Sequence, residues 1–138
     1  KEAQLFGEVK VIAETQKKGY RSILPQDQWQ DFSDCAYVYV VDNETVNGVE
    51  FSYTPETHSI PLVSDMSSNL LSREFDVSQY GIMFACAQKL LGPAGITVVI
   101  LREDLLNRGV LPGTPSMFNY RLHVDSRSML NTSKLPNI

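Results

Sequence analysis

Two side chains in this 138-residue sequence could do chemistry together, an amine at Lys89 and a carboxylate at Asp65. Lys89 stands between two apolar runs of β type, Gly81 to Cys86 and Ile96 to Leu101, where a solvated surface lysine is out of character. A lysine at the mouth of a buried strand is partly desolvated, which favours the neutral amine, and a neutral amine attacks a carbonyl to form a Schiff base. Asp65 closes the apolar run Ile60-Pro61-Leu62-Val63-Ser64, one strand upstream. Context alone leaves plainer readings open. A lysine in a strand-to-strand turn is equally an ordinary surface residue, and an aspartate ahead of Ser67-Ser68 equally a turn cap.

The elements that must position this pair are strands. Ala36-Tyr37-Val38-Tyr39-Val40-Val41 is β-branched and aromatic throughout without polar alternation, which predicts a central parallel strand buried on both faces. It ends in the polar residues Asp42-Asn43-Glu44-Thr45. Asn47-Gly48 then turns the chain into an extended piece at Val49 to Tyr53. Ile60 to Ser64 and Gly81 to Cys86 are two further buried strands. Met66 to Arg73 between them reads as irregular, and Asp76 to Tyr80 as one helical turn capped by Asp76. If the strands that end at Asp65 and before Lys89 are parallel neighbours, both residues sit on the ligand-binding edge of an α/β sheet. An amine and a carboxylate held apart there match what pyridoxal phosphate requires, lysine for the aldehyde and aspartate for the protonated ring nitrogen.

The rest of the chain frames this core. Gly-Pro-Ala-Gly at 92 to 95 carries the chain tightly back into Ile96 to Leu101, so closely that this strand is expected to run antiparallel. Short helical pieces are expected at Lys1 to Phe6 with Gly7 as cap, at Gln26 to Gln30, at Arg102 to Leu106 and at Ser116 to Tyr120. A short strand is expected at Glu8 to Ala13, and Trp29 reads as a packing residue. The fold class that follows is α/β, a mostly parallel mixed sheet flanked by helices.

Composition excludes several functions. A formal charge of −4 with no basic stripe argues against a nucleic-acid partner. No apolar run approaches a membrane span and no signal-peptide pattern opens the sequence, so a cytoplasmic protein is expected. Cys35 and Cys86 border predicted strands and read as small core residues of a reducing compartment rather than a disulfide framework. With His58 and His123 the only histidines, no metal site is expected. The sequons at Asn43 and Asn131 read as chance matches.

The residues also resemble a known family. Asp-Met-Ser-Ser-Asn-Leu-Leu-Ser-Arg (65 to 73), Asp-Val-Ser-Gln-Tyr-Gly (76 to 81), Ala-Gln-Lys-Leu-Leu-Gly-Pro-Ala-Gly (87 to 95) and Val-Val-Ile-Leu-Arg-Glu-Asp-Leu-Leu (98 to 106) are similar to phosphoserine aminotransferase. So are Asn-Glu-Thr-Val-Asn-Gly-Val-Glu-Phe (43 to 51) and Ser-Met-Leu-Asn-Thr (128 to 132), in collinear order. The lysine block disfavours other enzymes of this fold, such as desulfurases.

The resemblance implies that residues 1–138 are one segment of the large pyridoxal-phosphate-binding domain of a fold type I, class V aminotransferase. The N-terminal and C-terminal parts of the family's chain are absent from it. The implied reaction exchanges an amino group between glutamate and 3-phosphohydroxypyruvate, giving O-phosphoserine and 2-oxoglutarate in serine biosynthesis. Lys89 would be the catalytic lysine, Asp65 the partner of the ring nitrogen, and Thr45 and Gln88 further cofactor contacts. Asn131 and Thr132 would reach the cofactor phosphate of a partner subunit, making a homodimer with a shared site. Two positions depart from the family pattern, Leu90 where many members have asparagine and Ser133-Lys134-Leu135-Pro136 where they continue Pro-Pro. The phosphate turn, the stacking aromatic and the groups that read the substrate lie outside this sequence. The alternative is therefore a non-catalytic fragment acting as a dimerising or binding module.

Overall fold

A computed structural model describes residues 1–131 of the chain. They fall into two compact units, Lys1–Ile100 and the part from Leu101 onward. The main sheet is built on strands β1 (Val38–Val41), β4 (Leu62–Asp65), β5 (Ile82–Cys86) and β6 (Thr97–Leu101), hydrogen-bonded in the order β1-β4-β5-β6, and all of it but the last residue of β6 belongs to the first unit. A small second sheet pairs β2 (Asn43–Glu44) with β3 (Val49–Glu50).

β1 and β4 are parallel with Val41 opposite Asp65, and β4 and β5 are parallel with Asp65 opposite Phe84. The N–H of Ala87, just past β5, donates to the carbonyl of Ile96, just before β6, at 2.9 Å. A bond between the end of one strand and the start of the next reverses the chain, so β6 runs antiparallel. The sheet is mixed and mostly parallel, as the sequence predicts.

Its packing differs from expectation. β1 was expected to be a central strand buried on both faces, but among the described residues it stands at the end of the order β1-β4-β5-β6 and its residues alternate, Val38 and Val40 buried against Tyr39 and Val41 exposed. Val38, Val40, Leu62, Met83 and Ala85 line one face, and Met66, Leu70 and Tyr80 complete the core over them. Among the described residues the opposite face stays open, with Tyr37 and Tyr39 each 52% exposed. The β-branched and aromatic composition therefore reflects strand propensity here, and only one face carries the burial.

Over the packed face lie Phe32, Phe51 and Trp29. Trp29 meets Phe32 and Phe51 edge-on at 6.4 Å, and its indole N–H donates to the Leu24 carbonyl at 2.9 Å, so it is a packing residue. Glu8 to Ala13 is not a strand; Ile12 is tied by its carbonyl to the Gln30 N–H at 2.9 Å. The first helical piece is one 3-10 turn, Glu2–Leu5, closed by Phe6 rather than Gly7; a further turn at Gln16–Lys18 was not expected, and the piece expected at Gln26 to Gln30 is only Gln26–Gln28. Asp76 caps Val77–Gln79 by accepting from the Ser78 N–H, as its position predicts. Cys35 and Cys86 are free thiols and half-buried, not core residues.

The second unit holds α1 (Glu103–Leu106), a turn at Ser116–Phe118 and α2 (Tyr120–Asp125), the last capped by Asn119 accepting from the Arg121 N–H at 3.0 Å. Among the described residues no helix is long and apolar enough to cross a membrane. No group of three or more His, Cys, Asp or Glu among them could hold a metal ion.

Met83 is 1% exposed at the centre of the packed face. Met83→Ala should lower unfolding stability by about 2–5 kcal/mol with an unchanged denaturant slope. A loss below about 0.5 kcal/mol, the level of a surface change, would show that this face is not the core.

Candidate active site

Because β1, β4 and β5 run the same way, all three end on one edge of the sheet. The chain leaves β1 through Asp42 into the β2–β3 hairpin, with Thr45 in the turn between the two strands. It leaves β4 at Asp65, and β5 into the loop that carries Gln88 and Lys89. Two of these elements touch: Lys89 Nζ donates to Thr45 Oγ1 at 2.8 Å across a separation of 44 residues. The Lys89 loop closes tightly, the Gly92 N–H donating to the Ala87 carbonyl at 2.8 Å. Gly92 and Gly95 sit at φ 143° and 104°, which side-chain-bearing residues rarely adopt.

Lys89 is exposed rather than partly desolvated. The apolar runs on either side of it are strands that end before the loop begins, so their burial does not extend to its side chain. Gln88, between the buried Ala87 and the exposed Lys89, is exposed as well.

Asp65 is half-buried, and its Oδ1 accepts from the Ser67 N–H at 2.9 Å. One carboxylate oxygen thus does what the turn-cap reading asks. The Tyr39 phenol is pushed above its ordinary value, first by burial, then by the negative charge of Asp65 and by Tyr37. Asp65 therefore projects its charge over the open face of the sheet, where Tyr39 lies.

The residues present fit pyridoxal phosphate by the chemistry of their donors. An amine, a hydroxyl in contact with it and a carboxylate stand on neighbouring turns of one sheet edge, the groups suited to an aldehyde, a ring hydroxyl and a ring nitrogen. Asn131 is exposed and belongs to the second unit. Thr132 lies outside the described residues, as do Ser133 to Pro136.

Sequence reasoning passed over what braces this edge. The stretch read as irregular, Met66 to Arg73, ties the neighbouring elements together through side chains. Ser67 Oγ accepts from the Cys86 N–H at 3.1 Å, and Ser68 Oγ donates to the Asn43 carbonyl at 2.8 Å. Asn69 donates from Nδ2 to Asp42 and, at 2.9 Å, to Glu50. Leu71 takes the left-handed conformation at φ 73°, a strain of about 1–2 kcal/mol for a residue with a side chain, and so turns the chain back toward Arg73. The available signal was composition, since three short polar side chains directly after a strand end are suited to capping loose backbone groups.

Within the hairpin, the Glu44 carboxylate accepts from the N–H groups of Asn47 at 2.8 Å and Val46 at 2.9 Å, flanking Thr45 in the turn. The Asn47 bond first, then that of Val46, hold its carboxyl below the ordinary value, with a smaller pull from Lys89. A depressed carboxylate pKa contributes order above the unfolded value of 4.5 and loses it as pH falls through the folded one. An NMR titration should place the Glu44 midpoint below 4.5, with the Val46 and Asn47 amide shifts moving in step. A midpoint at or above that value would remove the cap.

Comparison with known proteins places the sequence and its fold. The family Aminotransferase class-V matches residues 3–133. A phosphoserine aminotransferase of Laribacter hongkongensis is 52% identical over 96% of this chain and 36% of its own length. One of Nitrosomonas europaea is 50% identical over 95% of this chain and 38% of its own. Among solved structures, a phosphoserine aminotransferase from Bacillus circulans subsp. alkalophilus superposes with TM-score 0.89 at 41% identity, covering 95% of this chain and 36% of that one. A PLP-bound phosphoserine aminotransferase from Trichomonas vaginalis superposes with TM-score 0.74 at 44% identity, over 81% of this chain and 33% of that one. The chain thus spans a little over a third of the curated relatives it matches. With a family match across nearly all its residues and a fold that superposes on a solved relative, the chain belongs to the class-V aminotransferase family.

Proposed function

We propose that this chain forms a segment of the large, cofactor-carrying domain of a pyridoxal-phosphate-dependent phosphoserine aminotransferase. The observation that carries the reading is the Lys89 amine meeting the Thr45 hydroxyl at 2.8 Å, on the edge where β4 delivers Asp65. The likeness to enzymes of that name supports it, and it leaves the non-catalytic binding module the less favoured reading.

Pyridoxal phosphate, when bound, supplies an aldehyde that accepts an amino group and a ring that draws electrons from the adjoining carbon. Lys89 would hold the aldehyde and, once freed by an incoming amino acid, move a proton at its Nζ as general base and acid. Asp65 would keep the ring nitrogen protonated through the oxygen that Ser67 leaves free. Thr45 would hold a ring oxygen by its hydroxyl, and Gln88 would add an amide contact. Asn131 and Thr132 would offer neutral donors to the phosphate in a partner's site, which implies a homodimer with shared sites. The substrates would be glutamate and 3-phosphohydroxypyruvate, the products 2-oxoglutarate and O-phosphoserine, and the setting cytoplasmic serine biosynthesis.

Borohydride reduction of the full-length protein with its cofactor, followed by peptide mapping, should tag Lys89. Lys89→Ala should lose the tag and lower transamination by at least about 100-fold. A tag on another lysine, with cofactor bound there, would overturn the assignment.

A further inference from the structure

Asp42 is fully buried where β1 gives way to the hairpin bearing Thr45, and Arg73 reaches it from the turn beyond Asp65. Arg73 Nη2 donates to Asp42 Oδ2 at 3.1 Å and to the Phe51 carbonyl at 2.9 Å. Its Nε stands 3.8 Å from Glu50 Oε1, and its guanidinium lies 4.5 Å above the centre of the Phe75 ring. One cation thus grips the hairpin on both arms, at Asp42 ahead of β2 and at Glu50 and Phe51 on the far side. Asn69 repeats the grip by donating to Asp42 and Glu50.

For stability alone this cluster is poorly made. Burying ions costs more than a partly satisfied pair returns, and here Asp42 Oδ1, Asn69 Oδ1 and Arg73 Nε are buried without hydrogen-bond partners. What the cluster does supply is location. A hairpin whose strands are two residues each is marginal by itself, and the Glu44 cap fixes only the shape of its turn, so the turn takes its position from its root and from the Ser68 tie to Asn43. That turn holds Thr45, and Thr45 holds Lys89.

We infer that Arg73 is a positioning residue: by closing both arms of the hairpin onto one guanidinium, it keeps the Thr45 hydroxyl where Lys89 Nζ meets it. The functional meaning of this brace rests on the reading of Lys89 as the cofactor lysine, whereas the geometry needs no cofactor. Arginine suits the task because its planar fork reaches a carboxylate and a carbonyl together, which a lysine's single ammonium does less well.

The test is trace acetylation of the full-length protein freed of cofactor, with peptide mass mapping of Lys89 relative to Lys17. Thr45→Val and Arg73→Met should each raise the Lys89 rate several-fold, the effect of one lost hydrogen bond. The double variant should be no faster than Thr45→Val alone, because both changes remove the same contact. Arg73→Lys should fall between wild type and Arg73→Met, and it carries the test if Arg73→Met folds poorly. Met83→Ala, which loosens the core against which Leu91 of the loop packs but leaves the brace intact, should raise the rate less than Arg73→Met does. An Arg73 effect that multiplies with that of Thr45→Val, an absent effect of either change, or an equal effect of Met83→Ala would each overturn the inference. Borohydride tagging separates this from the function itself: tagging at Lys89 without coupling to Arg73 sinks only the brace, and tagging elsewhere sinks the cofactor reading.

Discussion

Strands that run in the same direction must release the chain at the same edge, and this constraint governs the rest of the structure. β1, β4 and β5 are parallel, so the hairpin after β1, the turn after β4 and the loop after β5 emerge side by side. Had any one of the three been reversed, its functional group would lie a strand's length away. The antiparallel β6 breaks the pattern only after the third loop has been delivered, and its close return is what makes that loop short. Sheet direction therefore decides which loops meet, and apolar packing on one face of the strands keeps that direction in place.

Between these loops the ties are polar and local. Serine hydroxyls and the Asn69 amide take up backbone and carboxylate groups that strand ends leave free, so one irregular stretch does the bracing that a helix does elsewhere. The cost is visible in the left-handed Leu71 and in buried polar atoms that find no partner. Conformational strain and incomplete satisfaction of this kind gather where a structure must hold particular groups rather than maximise its stability.

Much of this was legible in the residues. Lys89 and Asp65 stood out because each closed or followed an apolar run, and the runs themselves are the strands observed at Leu62–Asp65, Ile82–Cys86 and Thr97–Leu101. The close return after Gly95 gave the antiparallel member correctly. The state of Lys89 was misread, because apolar neighbours in sequence imply burial only where the strand continues, and the loop carries the side chain out of the sheet. Burial on both faces of β1 was misread for a related reason: β-branched and aromatic residues favour strands whether one face is covered or two. The pairing of Asp42 with Arg73 was invisible, since a contact across 31 residues depends on a turn that only the folded chain reveals.

The open face of the sheet has a consequence of its own. The Tyr39 phenol is held above its ordinary value first by burial and then by the Asp65 charge that faces it. A cationic ring nitrogen drawn up to Asp65 would cancel that field and let the phenol ionise more easily. If a cation is held at Asp65, the alkaline ultraviolet transition of Tyr39 would move to lower pH and so report on a carboxylate that has no absorption of its own.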